Sequence, residues 1–334
     1  MEPKRSSLFF AFIKCGSPSQ GVLETRGEYS DILTDMLQSV APTLPEWGET
    51  DITGLTFDAT RGHLPGPGTI DEFDAVVVTG SGCSASESAP WIVKLRSFLA
   101  GLYHNKPKIR LIGSCFGHQI LCRALFQASE EDFPLQTGRA VVSRNEKGWE
   151  LGVHPIKLSA AFMERFGPVI SNPTSHSEMR LRLIHQDEVN PLSLPADFIN
   201  VGSSDLCGTQ GVYKRRRVFT LQGHPEFDTN IMVEFGKPIL GKKTMDEVKG
   251  GPDDYLYAAE AILEFLQEEA LEQEVTEEAA DGAEAAGRGE VAGEVADEEA
   301  VKQGEVTRDD VIENISVLFE KLTVCGHSSV LGSC

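Results

Sequence analysis

No pair of the seven cysteines stands at C-x-x-C spacing. That argues against a zinc ribbon or a thioredoxin-like redox pair, and no metal site is expected. No run approaches the twenty or so apolar residues that a membrane helix needs. The one early apolar stretch, Leu8 to Ile13, is too short for the core of a secretory signal and reads as a buried strand. The final "LGSC" does not place a cysteine for prenylation. There is no Walker motif, and "GSG" at 80–82 is only a fragment of G-x-G-x-x-G, so no nucleotide cofactor is expected. Basic residues are scarce: 30 Lys and Arg face 51 Asp and Glu, for a net charge of −21. Nucleic acid and anionic membrane are poor partners for such a surface. These traits together lead us to expect a cytoplasmic, reducing location.

The charge is concentrated. Residues 267–306 hold fourteen acidic and two basic residues, twelve of the net negative charges, with no aromatic side chain. Such a segment buries too little apolar area to offset its ordering entropy, so a disordered insertion is expected there. Three parts follow: a folded domain over 1–266, the acidic segment over 267–306, and a C-terminal helix and tail over 307–334. That last helix would be "TRDDVIENISVLFEKL", capped by Thr307.

In the front half, apolar runs alternate with helical spacing. "LFFAFI", "DITGLTFDA", "FDAVVVTG" and "KIRLIGS" read as strands. Between them, Ile32, Leu33, Met36, Leu37 and Val40 form one helical stripe. Trp91, Leu95, Phe98, Leu99 and Leu102 form another. This alternation implies an α/β fold, flavodoxin-like or Rossmann-like, with a mostly parallel open sheet covered by helices on both faces. Short strand candidates over residues 139–227 suit a mixed or antiparallel extension of that sheet. A later helix, "DDYLYAAEAILEFLQEE", offers Tyr255 or Leu256, Ala259, Ile262, Leu263 and Phe265 for packing.

Three stretches carry chemistry. In "LIGSCFGHQIL" a strand turns into a helix at Cys115, between Gly113 and Gly117. A sharp strand-to-helix turn pushes its central side chain out above the sheet, as in a nucleophile elbow. The helix N-terminus then favours a thiolate. The bland alternative is a small cysteine packed among glycines. Cys122, inside the helix, fits that description, and His118 is too near in sequence to serve Cys115 as a base. In "LQGHPEF", His224 and Glu226 stand at i and i+2; on an extended chain they point the same way, so Glu226 can orient the imidazole. The H-x-E pattern also occurs in zinc deaminases, but their P-C-x-x-C is missing. In "VVVTGSGCS" a glycine turn after a strand can aim the Gly80 N–H at a developing oxyanion, with the Phe116 N–H as a second donor.

Taken in this order, the glycine turn, the "GSCFGHQIL" elbow and "GHPEF" resemble the class I, triad-type glutamine amidotransferases. Within that family they resemble the stand-alone branch related to the glutaminase domain of GMP synthase, which includes gamma-glutamyl peptidases. The resemblance covers about residues 7–266. It implies that family's fold and a triad of Cys115, His224 and Glu226. It implies attack of the cysteine on the side-chain amide of glutamine or another gamma-glutamyl compound. It also implies substrate contacts at Gly82 and Gln119, and at the loop of His185, Gln186 and Asp187. Ser81 stands where typical members carry a second glycine. The chain has no "SGGxDS"-like loop for an ATP-using synthase domain. Either a separate synthase subunit receives the ammonia, or the chain hydrolyses gamma-glutamyl compounds alone. A non-catalytic binding module is the third alternative.

Overall fold

A computed structural model describes residues 7–268, apart from 46, 49, 127–139, 168–176 and 240–243. The expected helix over 307–322, and nearly all of the acidic segment, lie outside these residues.

The strands are β1 (Ser7–Lys14), β2 (Asp51–Asp58), β3 (Ala75–Val78), β4 (Arg110–Ser114), β5 (Val142–Arg144), β6 (Glu150–Leu158), β7 (Glu178–His185), β8 (Asp187–Val189), β9 (Ile199–Asn200), β10 (Gly202–Ser203), β11 (Gly211–Lys214) and β12 (Val218–Leu221). The helices are α1 (Gln20–Arg26), α2 (Tyr29–Val40), α3 (Pro90–Asn105), α4 (Phe116–Phe126), α5 (Ala160–Phe166), α6 (Thr229–Gly236), α7 (Met245–Lys249) and α8 (Tyr255–Gln267). No described helix is long and apolar enough to cross a membrane.

The main sheet has seven strands in the order β2-β1-β3-β4-β12-β11-β9. The first five run parallel, and β11 and β9 add antiparallel at one edge. This is the mixed, mostly parallel sheet that the alternating pattern predicts. Its central strands read as unbroken apolar runs because both faces are covered. Leu8, Phe10, Phe12, Ala75, Val77 and Ile112 share one core with Leu33 and Leu37 of α2 and Ile262 and Phe265 of α8. The alternate residues Phe9, Ala11, Ile13, Val76 and Val78 point the other way and are also buried. The helix α4, which packs on β3, β4 and α3, is buried nearly all round, from Phe116 to Cys122.

Three expectations need correction. Only β11 and β9 extend the main sheet. By contrast, β6, β7 and β10 form a separate three-stranded antiparallel sheet, and β5 and β8 a two-stranded one. Polar–apolar alternation identifies half-buried strands but does not say which edge they join. On α3 the buried stripe is Ile92, Leu95, Leu99 and Leu102, while Trp91 and Phe98 are half-buried at its margin. On α8, Tyr255 and Leu256 are exposed, and Tyr257 is the aromatic that enters the core.

The folded part also runs past residue 266. Gln267 completes α8. Glu268, counted above as the first acidic residue of the disordered segment, is 8% exposed. Its Oε1 accepts from Arg165 Nη2 at 2.8 Å and from the Tyr213 hydroxyl at 2.6 Å. Its Oε2 accepts from the backbone N–H of Arg216 at 2.5 Å, and its carbonyl accepts from Arg110. Composition over a forty-residue window hides one buried carboxylate with three donor residues.

Candidate active site

The strands β4 and β12 are parallel neighbours, with Ser114 opposite Leu221. Cys115 follows the last residue of β4, and His224 lies three residues beyond the end of β12. Both therefore sit at the carboxyl end of the sheet, where open α/β folds bind their ligands. The Cys115 N–H donates to the carbonyl of Leu221 at 2.9 Å, tying the two chain segments together.

Cys115 has φ of +52°. Side-chain-bearing residues rarely adopt that region, and such strain concentrates at functional sites. The flanking glycines make the turn possible. A Cβ on Gly117 would lie 2.1 Å from the Val78 carbonyl oxygen, and one on Gly113 would lie 2.6 Å from the backbone of Gly117. The expected elbow is therefore present, and bare backbone is what lets α4 start directly against β3.

His224 and Glu226 are joined by a 2.8 Å contact from Nδ1 to Oε1, with both side chains buried. The extended-chain argument for this pair does not hold. The segment is a turn, closed by the Phe227 N–H donating to the His224 carbonyl at 3.3 Å, with Pro225 at its second position. Proline presets φ for that position. The turn, and not a strand's two-residue period, brings the carboxylate back to the ring. The same Oε1 of Glu226 also accepts from the Ser114 hydroxyl at 3.0 Å.

Burial alone would depress the His224 imidazole. The charges of Glu226 and Cys115 outweigh burial and lift it to about 10. The ring is therefore held as a cation at neutral pH. Phe227 lies flat on it, with centroids 3.9 Å apart. Gly80 borders both groups: a Cβ built there would stand 3.1 Å from His224 Cε1, 3.8 Å from Nε2 and 4.0 Å from Cys115 Cβ. Phe116 is the first residue of α4, so its N–H belongs to the helix terminus, which has no intrahelical acceptor.

His118 and Cys122 are core residues and not part of the site. His118 is fully buried, with Nδ1 2.8 Å from Thr220 Oγ1. Burial lowers it to about 3, which keeps it neutral.

A cleft of about 520 Å³ opens over Cys115 and His224. Gly80, Gly82, Gln119, His185, Gln186 and Asp187 all line it. Glu226 and Phe116 do not line it. Several of the expected substrate contacts already serve the wall itself. The Gln119 amide donates to the Asp187 carbonyl at 2.9 Å and to Gln222 Oε1 at 3.0 Å. The Asp187 carboxylate accepts from the Ser84 hydroxyl, joining this loop to the glycine turn. His185 is 4% exposed, and its Nδ1 donates to the Asp187 carbonyl at 2.9 Å. Sequence reasoning missed Tyr29, Arg144, Trp149, Phe235 and Ile239, which also line the cleft. They come from three separate stretches, at 29, 144–149 and 235–239, that lie far apart in the sequence.

The fold, with a cysteine elbow at the carboxyl end of its sheet, defines a class of α/β protein that the comparisons identify. The chain belongs to the class-I glutamine amidotransferase family, whose model matches residues 60–237. A glutamine amidotransferase-like protein of Schizosaccharomyces pombe is 29% identical over 269 residues, covering 77% of this chain and 98% of that protein. Gamma-glutamyl peptidase 3 of Arabidopsis thaliana is 30% identical over 247 residues, covering 74% of this chain and 86% of the relative. The crystal structure of a glutamine amidotransferase from Methylobacillus flagellatus matches the fold with a TM-score of 0.51 at 16% identity. That match covers 80% of this chain and 98% of the other.

Proposed function

We propose that this protein hydrolyses a gamma-glutamyl amide through a thioester on Cys115. The observation that carries this reading is a strained cysteine on a strand-to-helix elbow, facing the end of a neighbouring strand that bears a hydrogen-bonded His224–Glu226 pair. The proposed catalytic residues are these three, with the backbone N–H groups of Gly80 and Phe116 as oxyanion donors.

The Cys115 sulfur attacks the amide carbon, and the carbonyl electron pair moves onto oxygen. The two N–H groups would hold that oxyanion with dipoles already aimed at it. Collapse expels the amine, which takes the proton carried by His224. Water then attacks the thioester while His224 receives its proton, and collapse returns the thiol and releases the gamma-glutamyl acid. Glu226 orients the ring and balances its charge throughout. The gamma-glutamyl group would lie along Gly82, Gln119 and the His185–Asp187 loop. Relatives named gamma-glutamyl peptidase support a peptide-like leaving group. The family match also supports a second reading, a glutaminase whose ammonia passes to a separate synthase subunit.

The test is glutamate release from glutamine and from glutathione, beside Cys115→Ala. Turnover of glutathione that depends on Cys115 supports the peptidase reading. Turnover of glutamine supports the glutaminase. Hydrolysis unchanged in Cys115→Ala rejects both, and absence of turnover points to a partner that activates the site or to the non-catalytic binder.

A further inference from the structure

Behind the cleft wall lies a second cluster, of which only His185 also borders the substrate cleft. Glu150 begins β6 and His185 ends β7, and the two are direct cross-strand partners. Cys207 reaches them from the loop between β10 and β11. The three residues are 1%, 4% and 0% exposed. One carboxylate oxygen, one ring nitrogen and the sulfur all lie within 4.8 Å of one another.

His185 has the arrangement of a metal-binding histidine. Its Nδ1–H is committed to a backbone carbonyl, that of Asp187, at 2.9 Å. Such a bond fixes the tautomer and turns the Nε2 lone pair toward a metal. That Nε2 is buried and makes no hydrogen bond. It stands 3.0 Å from Glu150 Oε2, but off hydrogen-bond geometry. A carboxylate oxygen and a buried ring nitrogen this close, the nitrogen without a hydrogen bond, are two donors that one cation can share.

The surroundings are built to hold the donors in place. The Ser204 hydroxyl donates to Glu150 Oε1 at 2.5 Å, and the Gln210 amide to Oε2 at 2.8 Å. The loop that carries Cys207 is pinned by its N–H donating to Ser204 Oγ at 3.0 Å. The amide oxygen of Gln210 is buried with no hydrogen-bond partner and is the nearest candidate for a fourth ligand.

We propose that Glu150, His185 and Cys207 form a buried site for a zinc-like divalent transition metal, which fastens the His185–Asp187 loop of the cleft wall to the three-stranded sheet. Mixed sulfur, imidazole and carboxylate donors suit zinc or cobalt, and not magnesium or calcium. Binding releases the Cys207 thiol proton to solvent, so the site carries a thiolate, a neutral imidazole and a carboxylate around the ion. This departs from the expectation of no metal, which rested on C-x-x-C spacing. Here the ligands come from three segments brought together by strand pairing.

The experiment is cobalt loading of the untagged, reduced full chain, followed by absorption spectroscopy and metal analysis. Its readout is independent of turnover. The expected result is about one ion per chain with a thiolate-to-cobalt charge-transfer band and tetrahedral visible bands. The charge-transfer band should persist in Cys115→Ser and Cys122→Ser, and vanish in Cys207→Ser. Glu150→Gln should weaken binding by about tenfold or more. The proposal fails if the folded wild-type chain binds no ion. It also fails if the band survives in Cys207→Ser or is lost in Cys115→Ser, which would move the ion to the cleft. Should Cys207→Ser not fold, the wild-type spectrum still decides, because absence of a thiolate band rejects the site.

Discussion

Phe227 lies face to face on His224, with 3.9 Å between ring centroids and 6° between their planes. An aromatic face attracts a cation, by about 0.5–1 kcal/mol where exposed and about 2 where dry. The ring thus favours the imidazolium that the Glu226 and Cys115 charges already sustain. Phe227→Leu should lower the His224 pKa by roughly one unit, since a unit is worth about 1.4 kcal/mol. The limb of the pH–rate profile set by His224 should move to lower pH by that amount. An unmoved profile would show the stacking to be packing alone.

Glu226→Gln keeps the shape of the side chain and removes its charge. The imidazole then loses the partner bound to Nδ1. We expect kcat to fall by about 10²–10⁴ with little change in KM, the pattern for a group that orients a catalytic histidine. A fall of less than tenfold would remove Glu226 from the catalytic set.

Gly80→Ala tests the approach of the glycine turn to the proposed base. The added methyl would meet His224 Cε1 at 3.1 Å, so the ring must give by a few tenths of an ångström. Since a displacement of about 1 Å can cost a hundredfold in rate, activity should drop by roughly three- to tenfold. The melting temperature should stay within a few degrees. Wild-type activity would mean that the ring has room to move.

His118 should make the fold acid-sensitive. Its pKa is about 3 when folded against an ordinary value of 6.5, because burial excludes the charge. The unfolded chain therefore binds the proton first as pH falls. Stability from this group is complete above pH 6.5 and declines between 6.5 and 3, by up to about 1.4 kcal/mol per unit. His224 has the opposite sign: its raised pKa contributes stability below 6.5 that is lost as pH climbs through about 10. Denaturant midpoints across pH 4–7 should flatten in His118→Gln relative to wild type. Equal slopes would refute the assignment.

The buried carboxylate of Glu268 predicts a sharp boundary. A chain ending at residue 266 leaves the Tyr213 hydroxyl without its acceptor and Arg165 with Glu264 alone. Breaking a buried pair costs about 3–5 kcal/mol. For a domain of this size that is roughly 10 °C in melting temperature. A chain ending at residue 271 should melt near the full-length value. Equal melting of the two truncations would make Glu268 dispensable.

Much of the site was legible because its signals are local. Gly113, Cys115 and Gly117 stand within five residues, and the steric need for bare backbone at the elbow can be argued from the turn alone. His224 and Glu226 were also legible, although for the wrong local reason: a proline turn makes the pair. The long-range partners were not legible. Gln119 looked like a substrate contact, yet its amide nitrogen is committed to Asp187 and Gln222. Glu150 and Glu268 read as ordinary acidic residues, because burial and donors arriving from distant segments leave no periodic trace. The inner sheet was readable from its continuous apolar runs. The small antiparallel sheets were not, since alternation leaves the pairing partner unspecified.

Glu268 has one further consequence. It is anchored to Arg110, the first residue of β4, and to Arg216, just before β12. Cys115 and His224 lie past the other ends of those same strands. A strand of five residues spans roughly 16 Å, so the described residues end on the side of the sheet opposite the cleft. A biosensor built by grafting a tether after residue 271 would therefore present an open mouth to the bulk solution, with the anchoring surface at its back.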